Sequence, residues 1–158
     1  MMTNTDKVMQ ERIHSLLSSQ PLAVLSTQRN GQPYSSLMAF AYTDDLREII
    51  VATGNSTRKH QNIIEESRVS LLVDNRSNSE EDFHTAAALT VLGVASRMAA
   101  DERLAYEELY LKRHPYLQEF IAAPSTTLFK IEINHYLLAT RFQSVMEYHI
   151  KNEVDLFS

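Results

Sequence analysis

The stretch Val51-Ala-Thr-Gly-Asn-Ser-Thr-Arg-Lys-His-Gln-Asn-Ile63 decides how the rest of the chain is read. Val51 to Thr53 has the character of a strand end, and Gly54 to Ser56 that of a tight polar turn. Ser56 or Thr57 suits a helix N-cap, because a hydroxyl oxygen there accepts from a backbone N–H that the helix itself leaves unsatisfied. A helix start combines such N–H groups with the positive end of the helix dipole, which favours an anion. Arg58 and Lys59 add two formal positive charges at that point. The group resembles a cradle for a phosphorylated ligand. Strand, polar turn and capped helix is also a common surface connection in which Arg-Lys is merely solvated, so the flanking sequence has to bear on the choice.

Toward the N-terminus, Glu48 to Thr53 reads as a strand entered through the turn Asp44-Asp45. Before it, Leu22 to Gln28 is a buried strand, Asn30-Gly31 a type I′ hairpin turn, and Pro33 to Thr43 the return strand. These connections are too short for crossovers, so an antiparallel meander is expected. Asp6 to Ser18 places Met9, Ile13, Leu16 and Leu17 on one helical face, and Pro21 closes that helix.

Toward the C-terminus, a helix Thr57 to Glu66 precedes a strand Arg68 to Asn75. The acidic stretch Arg76 to His84 reads as a surface loop. Ala87 to Met98 is a long strand whose Gly93 points to a bulge or a close backbone approach. Asp101 to His114 is helical, with Leu104, Leu109 and Leu111 as its apolar residues, and Tyr116 to Ala122 is a short helix. Thr126 to Ile133 alternates as a strand, Asn134 turns the chain, and His135 to Phe142 is the last strand; the tail from Gln143 carries no clear pattern. The sum is six or seven mostly antiparallel strands, a number that closes into a barrel to remove exposed edges.

The totals bound the function. A chain of 158 residues suits one domain with a proper core, here divided into an N-terminal helix (1–20), a barrel with a helical insertion (99–124) and a C-terminal tail (143–158). The net charge of −5 argues against general attraction to nucleic acid or anionic membrane, so an anionic ligand needs a local basic cluster. There are no cysteines, which excludes disulfides and thiolate chemistry. Three glycines spell neither a dinucleotide fingerprint nor a P-loop. No apolar run reaches membrane-spanning length and the N-terminus is polar, so the cytoplasm is the expected location.

Element order and particular residues together resemble the pyridoxamine 5′-phosphate oxidase-like family of FMN-binding split barrels. The carriers are Leu22 to Gln28 with Asn30-Gly31-Gln-Pro33, Ser35 to Phe40, Val51 to Gly54, Thr57-Arg58-Lys59 with Asn62-Ile63, and Arg68 to Leu72. The resemblance runs from about Pro21 to about Met98 and more loosely to Phe142. It implies a mainly β fold, a six-stranded antiparallel split barrel with flanking helices, working as a homodimer with FMN at the subunit interface. Arg58 and Lys59 would hold the FMN phosphate, helped by Thr57 and Thr53. Ser36, Leu37, Met38, Ala39 and Phe40 would run under the ring and ribityl chain, and Ala52 would line the same groove. The planar fork of Arg58 is expected to matter more than the point charge of Lys59. Two departures put the pyridoxamine substrate in doubt: Ala88 stands where the family's oxidases carry a glutamine, and Arg141-Phe142-Gln143-Ser144 does not match their substrate-binding end.

The function that follows is an FMN-dependent oxidoreductase acting on an unknown small molecule. The alternatives are a haem- or deazaflavin-binding barrel, with His149 the sole pointer to haem, and a flavin-binding storage or sensor protein without turnover. His14, His60, His84, His114, His135 and His149 show no paired metal spacing, so no metal site is expected. Tyr106, Tyr110 and Tyr116 are read as covering core or interface rather than stacking on a cofactor.

Overall fold

The computed structural model describes residues 2–141 and 144–151. Phe142 at the end of the expected last strand, Gln143 at the head of the expected tail, and residues 152–158 lie outside them. The elements are α1 (Asn4–Ser19), β1 (Leu22–Arg29), β2 (Gln32–Ala39), β3 (Ala41–Tyr42), β4 (Glu48–Gly54), α2 (Arg58–Glu65), β5 (Arg68–Asp74), α3 (Asp82–Thr85), β6 (Ala87–Arg97), α4 (Arg103–Arg113), a 3₁₀ turn (Pro115–Leu117), α5 (Gln118–Ala122), β7 (Thr126–Thr140) and β8 (Ser144–His149). A capping box between Thr3 and Asp6 starts α1, and its Met9, Ile13, Leu16 and Leu17 are all buried, as their spacing predicts. Asn30 and Gly31 both have positive φ, the requirement of a type I′ turn.

Eight strands form one antiparallel sheet in the order β2-β1-β5-β6-β7-β4-β3, with β8 added against β7. The sheet curls around a core that includes Leu25, Phe40, Ile49, Val51, Leu71, Val91, Phe129 and Tyr136. The expected strands are present, with the last two fused into β7 and the return strand divided into β2 and β3; β8 is additional. They do not form the simple meander. The return strand expected over Pro33 to Thr43 breaks at Phe40, whose side chain is fully buried. Beyond that break β3 pairs with β4, while β2 stays at the edge beside β1. The barrel is therefore split between β2 and β4.

Asn134 does not turn the chain. Thr126–Thr140 is one strand, and Leu92 opposes His135 while Gly93 opposes Ile133, which leaves Asn134 as the extra residue of a bulge. The bulge shifts the alternation by one: Phe129, Ile131 and Ile133 face the core before it, Tyr136 and Leu138 after it. The acidic loop contains the short helix α3, tied by the Asp82 carboxylate, which accepts from the backbone N–H groups of Ser77 and Asn78 and from the Ser77 hydroxyl. The unassigned tail supplies β8, whose Met146 and Tyr148 pack on the core.

The insertion covers the outer face of β4, with Tyr110 and Ile121 packing on Ile50, Ala52 and Leu128. This is why β4 is buried along its length; of the expected apolar residues of α4, Leu109 and Leu111 pack against this cluster and Leu104 is 67% exposed, while Tyr110 is the fully buried one. Arg113 locks the insertion to α1. Its guanidinium donates to the carbonyls of Leu17 (2.6 Å) and Gln20 and lies 4.7 Å over the ring of Phe40. Carbonyls at a helix C-terminus attract a cation, and hydrogen bonds to a charged group contribute about 1.5–3 kcal/mol. Arg113→Ala is expected to cost about 2 kcal/mol, read as a fall in the midpoint of urea unfolding with an unchanged m-value.

Candidate functional site

The turn between β4 and α2 is held from several sides. The Thr57 amide and hydroxyl both donate to the carbonyl of Gly54 (3.3 and 3.0 Å), and the Thr57 hydroxyl lies 2.7 Å from that of Thr53. Thr57, not Ser56, is the N-cap: its Oγ1 accepts from the amide of His60 at 3.2 Å. The Asn55 amide donates to Ser125, and the Asn55 side chain receives the hydroxyl of Thr127. The amides of Arg58 and Lys59 thus stand in a fixed first turn where the helix supplies no acceptor.

This helix mouth opens on a groove of about 340 Å³ at the split between β2 and β4. Leu37, Met38 and Ala39 line it from β2, Ala52 and Thr53 from β4, and Thr57 and Lys59 from α2. Seven of the ten residues expected at the site come together there. The other three stand apart. Arg58 lines an adjoining cavity of about 730 Å³ with Asn62, its guanidinium 5.6 Å over the ring of Tyr34. Ser36 is half-buried, and its hydroxyl has no hydrogen-bond partner among the described residues. Phe40 does not line the groove: its side chain is in the core, and its carbonyl is 2.7 Å from Nε2 of His114.

Sequence reasoning missed the third wall, formed by Tyr110, Leu117 and Phe120 of the insertion. It placed Tyr110 as a cover for core or interface, and the ring is indeed 1% exposed. Tyr116 is 76% exposed, and Tyr106 donates its hydroxyl to Glu48 at 2.7 Å. Nothing in the local pattern marks a helix inserted about fifty residues later as part of this groove.

His60 is buried directly behind the cradle, edge-on to Phe129 at 5.4 Å between ring centres. Its Nε2 lies 3.0 Å from the guanidinium of Arg97, which can only donate, so His60 accepts there and is neutral. Burial, and then the Arg97 charge, push its pKa below the ordinary 6.5. The unfolded chain takes up that proton more readily, so stability present above pH 6.5 is lost as the pH falls through the lowered folded value. Denaturant unfolding between pH 7.5 and 5 is expected to show this loss, with a shallower slope in His60→Gln.

Ala88 lies elsewhere, in a cavity of about 790 Å³ shared with Leu72, Phe83 and Ala139 on the outer face of the sheet. His149 is on β8 against His135, past the middle of β7, whose Thr126 end lies beside the groove strand β4. Among the described residues no three His, Asp or Glu side chains converge as a metal site, and no helix is long and apolar enough to cross a membrane.

Among solved structures, the fold is similar to a haem-binding protein from Mycobacterium smegmatis (TM-score 0.78, 15% identity, 89% of this chain and 57% of that one). It is also similar to general stress protein 26 from Bacillus anthracis (TM-score 0.66, 23% identity, 89% and 98%), and to a FAD-binding protein from Mesorhizobium loti (TM-score 0.65, 17% identity, 81% and 90%). At these identities the likeness shows the fold alone. In sequence, a Schizosaccharomyces pombe homologue of pyridoxamine 5′-phosphate oxidase is 37% identical over 92 residues, 51% of this chain and 47% of that protein. The chain thus aligns with about half the length of this curated relative. Residues 9–139 match the sequence model of pyridoxamine 5′-phosphate oxidase, and on that match the chain belongs to the pyridoxamine 5′-phosphate oxidase family.

Proposed function

We propose that the chain is an FMN-binding flavoprotein, a split-barrel domain over residues 1–158 working as a homodimer, and an oxidoreductase toward a small molecule. The observation that carries this reading is the convergence of Leu37, Met38, Ala39, Ala52, Thr53, Thr57 and Lys59 on one groove at the mouth of α2. The residues fit the group. A phosphoryl dianion needs N–H donors and cations, and the first turn of α2 supplies both against a net charge of −5. A flavin ring needs an elongated apolar slot with a few polar groups on its rim. Leu37, Met38, Leu117 and Phe120 form such a slot, the edge strand β2 has backbone groups to offer, and the unpartnered Ser36 hydroxyl is a further candidate.

Bound FMN supplies hydride and electron transfer; the protein binds, orients and tunes it. Lys59 and the Arg58 and Lys59 amides anchor the phosphate end, with Arg58 reaching it from the Tyr34 side. The hydroxyls of Thr53 and Thr57 hold the turn rigid, and the insertion keeps water from one side of the slot. A second copy finds support in the outer face of β5, β6, β7 and β8, where Leu72, Leu92 and Leu137 are half-buried and Val145 is 60% exposed.

The test is a titration of FMN with the purified protein, followed by flavin fluorescence and absorption. Saturable quenching at one flavin per chain is expected, and unchanged fluorescence at all protein concentrations overturns the reading. Bleaching of the bound flavin by NADH or NADPH then separates an enzyme from a storage protein.

A further inference from the structure

The pairing of β7 with β8 sets His135 directly opposite His149, with the two Nδ1 atoms 2.6 Å apart. At that distance one nitrogen must carry the proton and the other a lone pair. A second contact decides which. Nε2 of His149 lies 3.2 Å from a carboxylate oxygen of Glu147, and a carboxylate only accepts. His149 therefore holds its proton on Nε2 and turns the Nδ1 lone pair toward His135. A carboxylate that fixes the tautomer of an imidazole and aims its other nitrogen is the arrangement found behind metal-bound histidines.

We propose that His135 and His149 form a binding site for a divalent transition metal, with Glu147 as the positioning residue behind His149. Two imidazole nitrogens suit zinc, copper(II) or nickel. Zinc–nitrogen bonds of about 2.0–2.1 Å at a tetrahedral angle set the two nitrogens about 3.4 Å apart, so the rings need to part by less than about 1 Å. His149 can give way, because its side chain is 40% exposed and it ends the edge strand. Binding through both Nδ1 atoms displaces the proton that His135 holds there, so metal uptake is accompanied by proton release and weakens as the pH falls. His149 lies on the same face of the sheet as Leu137 and Val145, so in the homodimer proposed above the remaining coordination positions open toward the second copy. The site is independent of the groove: the seven regular steps from Thr127 to His135, with Asn134 bulged out, span roughly 23 Å at about 3.3 Å per residue.

The experiment uses the full chain without a histidine tag, titrated with zinc chloride by calorimetry. One zinc per chain is expected, with Zn-dependent changes in imidazole ¹⁵N shifts that report coordination through Nδ1. His149→Ala is expected to abolish this binding, and Glu147→Gln to weaken it by about 10- to 100-fold. His84→Ala, an exposed histidine on α3, should leave it unchanged. Circular dichroism and the unfolding midpoint without metal confirm that each variant folds. Absence of zinc binding by the wild-type chain overturns the proposal, as does a His149→Ala chain that binds zinc with the same stoichiometry and affinity.

Discussion

Replacing Arg58 and Lys59 together by alanine is expected to weaken FMN binding by at least about 100-fold, so that no flavin stays with the protein through purification. Each charge-assisted bond to a phosphoryl oxygen contributes about 1.5–3 kcal/mol, and the pair about 3–6 kcal/mol. At about 1.4 kcal/mol per tenfold, that is a loss of between roughly 10² and 10⁴. The backbone amides at the mouth of α2 remain in the variant, which is why binding falls rather than vanishing at high FMN. The single variants separate two arguments. The planar fork of Arg58 favours a larger loss there, whereas Lys59 is the cation in the groove wall and Arg58 sits over Tyr34. Both side chains are at the surface end of α2, so thermal unfolding without ligand should be unchanged. A double variant that binds FMN like the wild type would sink the flavin reading.

Gly93→Ala is expected to be the most damaging single methyl in the barrel. A Cβ built there would lie 2.5 Å from the carbonyl oxygen of Glu132 and 2.8 Å from a methyl of Ile131. Both belong to β7, which pairs with β4 and β6 over this region, so neither can retreat without breaking a ladder. Overpacking in a closed core costs about 1–3 kcal/mol, and a clash with the backbone falls at or above the top of that range. At about 2–4 °C per kcal/mol for a chain of this size, a loss of about 3 kcal/mol lowers the melting temperature by roughly 6–12 °C. Gly31→Ala is a contrasting control: its Cβ meets nothing, and only the positive φ of 78° resists it. If Gly93→Ala melts with the wild type, the two strands do not approach as closely as described.

Local chemistry made part of this architecture legible. The Asn30-Gly31 turn, the Thr57 cap, the buried face of α1 and the irregularity at Gly93 each follow from a residue type whose preference is strong on its own. Among the groove residues, Thr57 and Lys59 were legible from the capped, basic helix start itself, whereas Leu37, Met38, Ala39, Ala52 and Thr53 were legible only through the likeness of several short segments to a known family. What stayed hidden depends on contacts remote in sequence. Phe40 looked like one more strand residue until the fold placed its ring in the core, beneath the half-buried Arg113 of an insertion seventy residues on. Asn134 looked like a turn because the alternation slips there, and a slip and a turn leave the same trace in the sequence. His135 and His149 show no helical or metal-motif spacing, and only the pairing of β7 with β8 brings them together.

That slip also determines what each later side chain does. Because strand residues alternate between two sides, the odd member at Asn134 resets the parity of everything after it. Tyr136, with its hydroxyl donated to Leu46 at 2.8 Å, owes its interior place to that reset, and His135 owes to it a position across from His149. A chain that took Asn134 into a regular ladder would present the tyrosine to solvent and turn the imidazole inward, whereas one shortened by Asn134 alone would keep both sides as they are, with Ile133 inward, His135 outward and Tyr136 inward.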